Sequence, residues 1–204
     1  MPYSDFTLPD LQTRLGLTLV EVDDLHAGVP EVQLSALGLQ LLIQRNLPLA
    51  VAATTEKSKS ELLTAPLMGE VREALHRRVS YFSGNEFNID RVRGLSGACD
   101  FLLCRSPVQS VIQSPVTVVV EAKNDSIASG LGQCGAEMFA ARIFNERAGN
   151  DIPIIHGCVT TGILWRFLTL EGDRLTMDFT QYALPDHLAK VFGILVAAAR
   201  GPEA

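Results

Sequence analysis

The sequence predicts an α/β fold, in which a mixed central β-sheet is flanked by helices. Apolar segments with helical or strand-like spacing follow one another in the order helix, three strands, helix, strands, helix. This order differs from the strict alternation of a doubly wound fold. The chain of 204 residues has 47% hydrophobic and 20% charged residues. It is therefore long and apolar enough to bury one core without disulfides or metals.

The first 50 residues predict a short helix over 9–15, a strand over 17–22 and a helix over 35–44. This segment holds six acidic and two basic residues, so it carries −4 of the net charge of −6. We therefore divide the chain into an acidic N-terminal segment, 1–50, packed on a core, and a main domain, 51–204.

The main domain begins with a long predicted helix. Thr54 or Thr55 can cap its N-terminus, and Glu56 lies in its first turn. Helical spacing continues to about Arg78, with a kink expected at Pro66. The remaining predicted elements are strands over 81–89, 99–104 and 116–122, a helix over 130–147, strands over 152–160, 163–170 and 173–179, and a helix over 185–200.

Charge and cysteine content narrow the classes of function. The acidic balance, with a pI of about 5.2, argues against tight, indiscriminate binding to nucleic acid, which needs clustered Lys and Arg. Four cysteines without a C-x-x-C pair are expected to be buried thiols, and His156 and Cys158, which alternate on one strand, are expected to be ordinary core residues. We find no signal peptide and no membrane span, so we expect a soluble, cytoplasmic protein that does not bind a membrane.

Charged residues interrupt two of the predicted strands. Alternation places Glu121 and Lys123 on one face at the carboxyl end of strand 116–122. Asp100 stands where strand 99–104 would otherwise hold an apolar residue. Charges at such positions are costly unless they are paired or bind a cation. The residues fit either a buried ion pair of Lys123 with one carboxylate, or a divalent cation held by both carboxylates beside Lys123.

These residues give the chain a resemblance to the PD-(D/E)XK nuclease superfamily, including its uncharacterised bacterial members and the nuclease domain of type I restriction enzymes. The matching segments are GACDFLL at 97–103, VVVEAK at 118–123 and GLGQ at 130–133. Cys99 stands where the family often has Pro, a position without a chemical role. The resemblance implies a restriction-endonuclease-like core of a helix, three strands, a helix and a further strand.

The resemblance also implies a site and an activity. Asp100, Glu121 and the carbonyl of Ala122 would bind Mg²⁺, for which Mn²⁺ can substitute. Lys123 would assist the attacking water, and Gln133 would line the site. The implied activity is Mg²⁺-dependent hydrolysis of phosphodiester bonds in nucleic acid. DNA is the expected substrate, bound weakly or together with a partner, and a homodimer is left open.

A carboxylate on the first helix completes the site in many members of the superfamily. Helical phase places Glu56 and Glu70 on the apolar face of the predicted helix and Glu61 on the opposite face. In the type I nuclease domain a Glu precedes a helical Pro by about ten residues. Because Pro66 follows Glu56 at that distance, the resemblance favours Glu56.

Other interpretations compete with the nuclease. The motif G-x-G-x-x-G at 130–135 follows a strand and opens a helix, as a nucleotide-binding loop does. However, the chain between Lys123 and Gly130 is too long for the tight turn of that motif, and no acid ends the next strand. A catalytically silent nuclease fold that binds or scaffolds is a third interpretation.

Taken alone, Gln133 would be an exposed helix residue in contact with Glu137. Six arginines fall around the strands that build the site and could form a local positive rim: Arg72, Arg77, Arg78, Arg91, Arg93 and Arg105.

Overall fold

The computed structural model describes residues 2–34 and 38–201. Within these residues the protein is α/β, with a mixed eight-stranded sheet flanked by helices, as the sequence predicts. The strands are β1 (Thr18–Val22), β2 (Ser80–Glu86), β3 (Ala98–Cys104), β4 (Val116–Ala122), β5 (Ile154–Thr160), β6 (Leu164–Glu171), β7 (Arg174–Asp178) and β8 (Tyr182–Ala183). Their order in the sheet is β1-β7-β6-β5-β4-β3-β2, and β8 pairs with β6.

Helices cover both faces of this sheet. They are α1 (Leu8–Leu15), α2 (Leu39–Ala52), α3 (Glu56–Lys59), α4 (Ala65–Ala74), α5 (Leu131–Arg147) and α6 (Leu188–Arg200). The predicted helix over 35–44 lies partly on 35–37, outside the described residues, and the rest of it falls largely in α2. One core cluster lies between the sheet and α1 with α5, and the other lies between the sheet and α2, α4 and α6.

The central strand β4 contacts two neighbouring strands and a helix on each face of the sheet. It pairs antiparallel with β3 and parallel with β5, and α5 forms the crossover between β4 and β5. Every residue of β4 is buried, because α5 packs on one face and α6 on the other. This explains its almost continuous run of valines, since a strand covered on both faces has no solvent side.

A π-helical turn (Ser60–Thr64) interrupts the predicted long helix and separates α3 from α4. Pro66 has no N–H, so the Leu62 carbonyl cannot receive its usual helical bond and accepts one from Asn46 Nδ2 at 2.9 Å. The N–H of Ala65 reaches back five residues to the Ser60 carbonyl. The turn changes the helical phase between Glu56 and the residues after Pro66.

Local chemistry fixes both ends of this helical segment. The Thr55 hydroxyl accepts a hydrogen bond from the N–H of Ser58 at 3.2 Å, which confirms Thr55 as the N-cap. The helix ends at Ala74 rather than near Arg78, because His76 and Arg77 adopt φ angles of 53° and 58°.

The acidic N-terminal segment contributes to the same sheet and core. Strand β1 pairs parallel with β7, and α1 packs on α5. The approach to α5 is so close that a Cβ at Gly132 would overlap the carbonyl oxygen of Phe6. The start of α5 is therefore covered by the first residues of the chain.

The four cysteines are buried free thiols, as the sequence predicts. The thiols of Cys134 and Cys158 donate to backbone carbonyls within the core. Within the described part of the chain, no helix is long and apolar enough to cross a membrane.

Replacing Asn145 with Ala is expected to destabilise the protein by roughly 2–4 kcal/mol. Asn145 is buried in α5, accepts the N–H of Val116 at 2.8 Å and donates to its carbonyl at 2.8 Å. Truncation leaves both backbone groups buried without partners. Urea unfolding measures the loss, with the exposed Glu146→Ala as a control. Equal stabilities of the two variants would contradict this role of Asn145.

Acid is expected to destabilise the protein through His156. Burial and, to a smaller extent, the neighbouring His26 together lower the pKa of its imidazole to about 4. The unfolded chain takes up this proton near pH 6.5, so the contribution of His156 to stability is complete above that pH and falls by about 3 kcal/mol as the pH drops toward 4. Urea midpoints between pH 4 and 8 should depend less on pH in His156→Gln, whereas the exposed His76→Asn should follow wild type.

Candidate active site

The two strand carboxylates predicted from the sequence lie on neighbouring strands. Asp100 is on β3 and Glu121 is on β4. The antiparallel register pairs Phe101 with Val120, so Asp100 and Glu121 occupy the next position along the two strands. The Asp100 carboxylate accepts the N–H of Ala122 at 2.8 Å. The structure thus brings Asp100, Glu121 and Ala122 together at the carboxyl end of β4.

Lys123 connects this pair to α5. Its ammonium donates to Glu121 Oε1 and, at 3.0 Å, to Gln133 Oε1. The amide of Gln133 donates in turn to Glu137 Oε1 at 3.0 Å. Four side chains therefore form one continuous hydrogen-bonded row, Glu121–Lys123–Gln133–Glu137, which we call the acid–lysine row.

Glu137 is a site residue that the sequence interpretation missed. It is fully buried, and Gln133 is only 9% exposed, so their contact lies in the core and not on the surface as expected for Gln133 taken alone. Helix α5 is enclosed by the sheet on one side and α1 on the other. A signal for Glu137 was present, because it is the one charged residue between Asp125 and Arg142.

Burial sets the electrostatics of the acid–lysine row. It raises the pKa of Glu121 to about 10, and the charges of Glu137 and Asp100 add to the rise while Lys123 opposes it. Burial also raises the pKa of Glu137 to about 8, against the hydrogen bond from Gln133. Burial acts to lower the pKa of Lys123, but the Glu121 charge outweighs it and the pKa is raised. Near neutral pH and without a cation, Lys123 thus keeps its charge while Glu121 keeps its proton.

Two carboxylate oxygens of the row have unmet bonding capacity. Oε2 of Glu121 and Oε2 of Glu137 are buried, and apart from the contact of the two carboxyl groups with each other they have no hydrogen-bond partner among the described residues. Such atoms are rare in proteins, and a hard cation with oxygen ligands would satisfy them. Within the described ranges, no group of three or more His, Cys, Asp or Glu is already arranged to hold a metal ion. The residues therefore fit a divalent cation by donor type and charge rather than by preformed coordination.

The first-helix carboxylate beside the site is Glu56. Burial raises its pKa, the Asp100 charge adds to the rise, and Lys123 opposes it. Glu70 lies elsewhere: burial and the charge of Glu73, outside the site, raise its pKa. Helical phase alone did not distinguish the two, because the π-helical turn between them changes their relative direction.

An open cleft of about 310 Å³ leads to these residues. Its lining includes Glu56, Lys57, Ser60, Ser83, Gly84 and Asp100. Lys59 closes one side of the site, because its ammonium donates to the Asn124 carbonyl at 2.8 Å and so ties the loop after β4 to α3. The two carboxylates Glu56 and Asp100 thus face the route by which a substrate would enter.

The structure does not gather the predicted arginine rim around this cleft. Arg72 and Arg77 pair with Glu73, and Arg93 pairs with Asp90. Arg105 lines a separate cavity beside α6. The basic side chain that lines the cleft is Lys57, which is exposed and 3.9 Å from Glu61.

Close packing accounts for the glycines at 130–135. A Cβ at Gly130 would lie 2.7 Å from Val159 Cγ1 and 3.1 Å from Lys123 Cγ. Gly132 packs against the first residues of the chain. These glycines bring α5 near enough to β4 for Gln133 to reach Lys123, and they leave the start of α5 covered, which argues against a nucleotide there.

No family model and no curated protein matches this chain.

Proposed function

We propose that the protein is a Mg²⁺-dependent nuclease with a restriction-endonuclease-like core of the PD-(D/E)XK type. In this proposal the core consists of α3 and α4, the three antiparallel strands β2 to β4, helix α5 and strand β5. The observation that carries the proposal is the convergence of Asp100, Glu121 and Lys123 with Gln133, in a site where buried carboxylate oxygens lack partners.

Asp100, Glu121 and the carbonyl of Ala122 would hold Mg²⁺ or Mn²⁺, and Glu56 adds negative charge at the cleft. Mg²⁺ supplies Lewis acidity toward a phosphoryl oxygen and lowers the pKa of a bound water. Oxygen ligands of this kind are those that Mg²⁺ prefers. Burial raises the pKa of Glu121 and the charges of Glu137 and Asp100 add to the rise, so a bound cation would favour the ionised carboxylate.

The chain's own groups position the reaction. Lys123 keeps its positive charge between Glu121 and Gln133, so its ammonium orients the attacking water or offsets charge on phosphorus. Gln133 holds Lys123 in place, and Glu137 fixes Gln133. The backbone N–H of Ala122 fixes the carboxylate of Asp100. The phosphodiester would approach through the cleft past Glu56.

Asp100→Asn is expected to reduce cleavage roughly 10²-fold or more, because it removes a charged metal ligand. Supercoiled, linear and single-stranded DNA and RNA are incubated with each protein in Mg²⁺, Mn²⁺ or EDTA. Wild type should cleave with either cation and not in EDTA. Glu70→Gln, which changes a carboxylate outside the site, should retain wild-type activity.

Equal cleavage by wild type and Asp100→Asn, or cleavage that persists in EDTA, would refute the proposal. A wild type that binds nucleic acid but never cuts would instead identify a catalytically silent nuclease fold. Binding should be weak, because the net charge of −6 leaves little positive surface to hold phosphates.

A further inference from the structure

A second cavity lies toward the opposite end of β4 and β5 from the candidate active site. It has a volume of about 330 Å³ and is lined by Thr117, the start of β5, one face of α6 and the loop that follows β1. Thr117 and Glu121 are four residues apart, or about 13 Å along the strand. The cavity walls are mainly apolar, from Val29, Ile152, Ile154, Ile194, Ala197 and Ala198.

Arg105 supplies the positive charge of this cavity. It follows β3, and its guanidinium lies against Gly201 at the end of α6. Within the described residues, no acidic side chain pairs with Arg105, whereas Arg72, Arg77 and Arg93 all have carboxylate partners. A half-buried guanidinium at an apolar cavity is a ready partner for a ligand carboxylate, which it can bind through two parallel hydrogen bonds.

Two histidines give the cavity uncharged polar groups. His26 is 8% exposed, and its ring centroid lies 6.4 Å from that of His156. Nε2 of His26 and Nδ1 of His156 are buried without a hydrogen-bond partner among the described residues. Burial lowers the pKa of both rings, so near neutral pH they offer hydrogen bonds and no charge.

We propose that this cavity binds a small apolar monocarboxylate, with its carboxylate on Arg105 and its hydrocarbon part between α6 and β5. A single cationic group favours a single negative charge, and the aliphatic walls favour a hydrocarbon body. The site is independent of the proposed nuclease chemistry, because it shares no residue with the acid–lysine row or the cleft.

Octanoate is the probe, and octan-1-ol and octylammonium are its neutral and cationic counterparts. Isothermal titration calorimetry on the full chain at pH 7.5 should give saturable one-to-one binding of octanoate, about tenfold or more tighter than binding of either counterpart. Arg105→Gln should remove this preference for octanoate. The exposed Arg91→Gln should leave it unchanged.

Ala198→Leu should abolish binding of octanoate and octan-1-ol alike, because the added carbons fill the space beside α6. If Ala198→Leu does not fold, the difference in octanoate binding between Arg105→Gln and Arg91→Gln still tests the proposal. Binding that is absent, that is equal for the three probes, or that is unaffected by Arg105→Gln would overturn the proposal. Octanoate binding should be the same in EDTA and in Mg²⁺, which separates this result from the outcome of the cleavage assays.

Discussion

Glu121→Gln is expected to abolish cleavage and, without divalent cations, to stabilise the protein by about 1–3 kcal/mol. Glu121 is 1% exposed and has one unpartnered oxygen. Burial holds its pKa near 10, far above the ordinary value of 4.5. At neutral pH the folded protein keeps a proton on Glu121 that the unfolded chain releases, and this difference lowers the free energy of unfolding. Glutamine has the shape of the protonated acid and does not titrate, so the substitution removes this loss.

The direction of the pH dependence follows from the raised pKa of Glu121. Below pH 4.5 both the folded and the unfolded state hold the proton, so the group has no effect on stability. As the pH rises above 4.5 toward 10, the unfolded state loses the proton first and the folded state becomes less stable. Glu121→Gln should remove this part of the decline, and its advantage should therefore grow with pH.

Urea unfolding in EDTA at several pH values measures the gain in stability, and DNA cleavage in Mg²⁺ measures the loss of activity. The control is Glu61→Gln, because the Glu61 side chain is 67% exposed. It should change neither property. An active Glu121→Gln protein would exclude Glu121 as a metal ligand, and a clear loss of stability would contradict the electrostatic description of the row.

Lys123→Met is expected to lower the cleavage rate roughly 10²–10⁴-fold while metal binding persists. The ammonium of Lys123 is the group that can orient water or offset charge on phosphorus. Methionine keeps much of the aliphatic stem that packs on Gly130. Glu121 then remains available to the cation, which can compensate its charge in place of Lys123.

Thermal unfolding with and without Mg²⁺ separates the two variants. A cation that binds only the folded state raises the melting temperature, so Lys123→Met should retain the Mg²⁺-dependent rise and Glu121→Gln should lose it. Lys57→Met is the control for the Mg²⁺-dependent rise and should retain it, because that side chain is 84% exposed and does not join the row. A Lys123→Met protein that cleaves like wild type would remove Lys123 from the mechanism.

The parts of the fold predicted well are those whose pattern is local. The boundaries of β4 match the prediction, since a run of β-branched residues ends where Lys123 leaves the strand. Asp100 and Glu121 could be singled out because a charge within an apolar strand is visible in the sequence alone. Their adjacency followed once β3 and β4 were expected to be neighbours. The membership of the nuclease superfamily stays a prediction.

The parts that could not be predicted depend on distant contacts. Glu137 looks like a helix-surface residue until α1 is known to cover α5. The direction of Glu56 relative to Glu70 depends on a π-helical turn that forms around Pro66 and Asn46. The carboxylate partners of Arg72 and Arg93 were not predicted, because nearness in sequence does not show which carboxylate each guanidinium pairs with.

The pairing of β1 with β7 has a consequence for the order of assembly. Thr18 lies opposite Arg174, so β7, the strand that pairs with β1, is made only when most of the chain has been synthesised. Bringing such distant segments together carries a large loop-closure entropy and slows folding. The antiparallel strands β2 to β4 can form early from nearby sequence. Helix α5, which carries Gln133 and Glu137, is covered by α1, so the burial of these two side chains likewise depends on a contact with the other end of the chain.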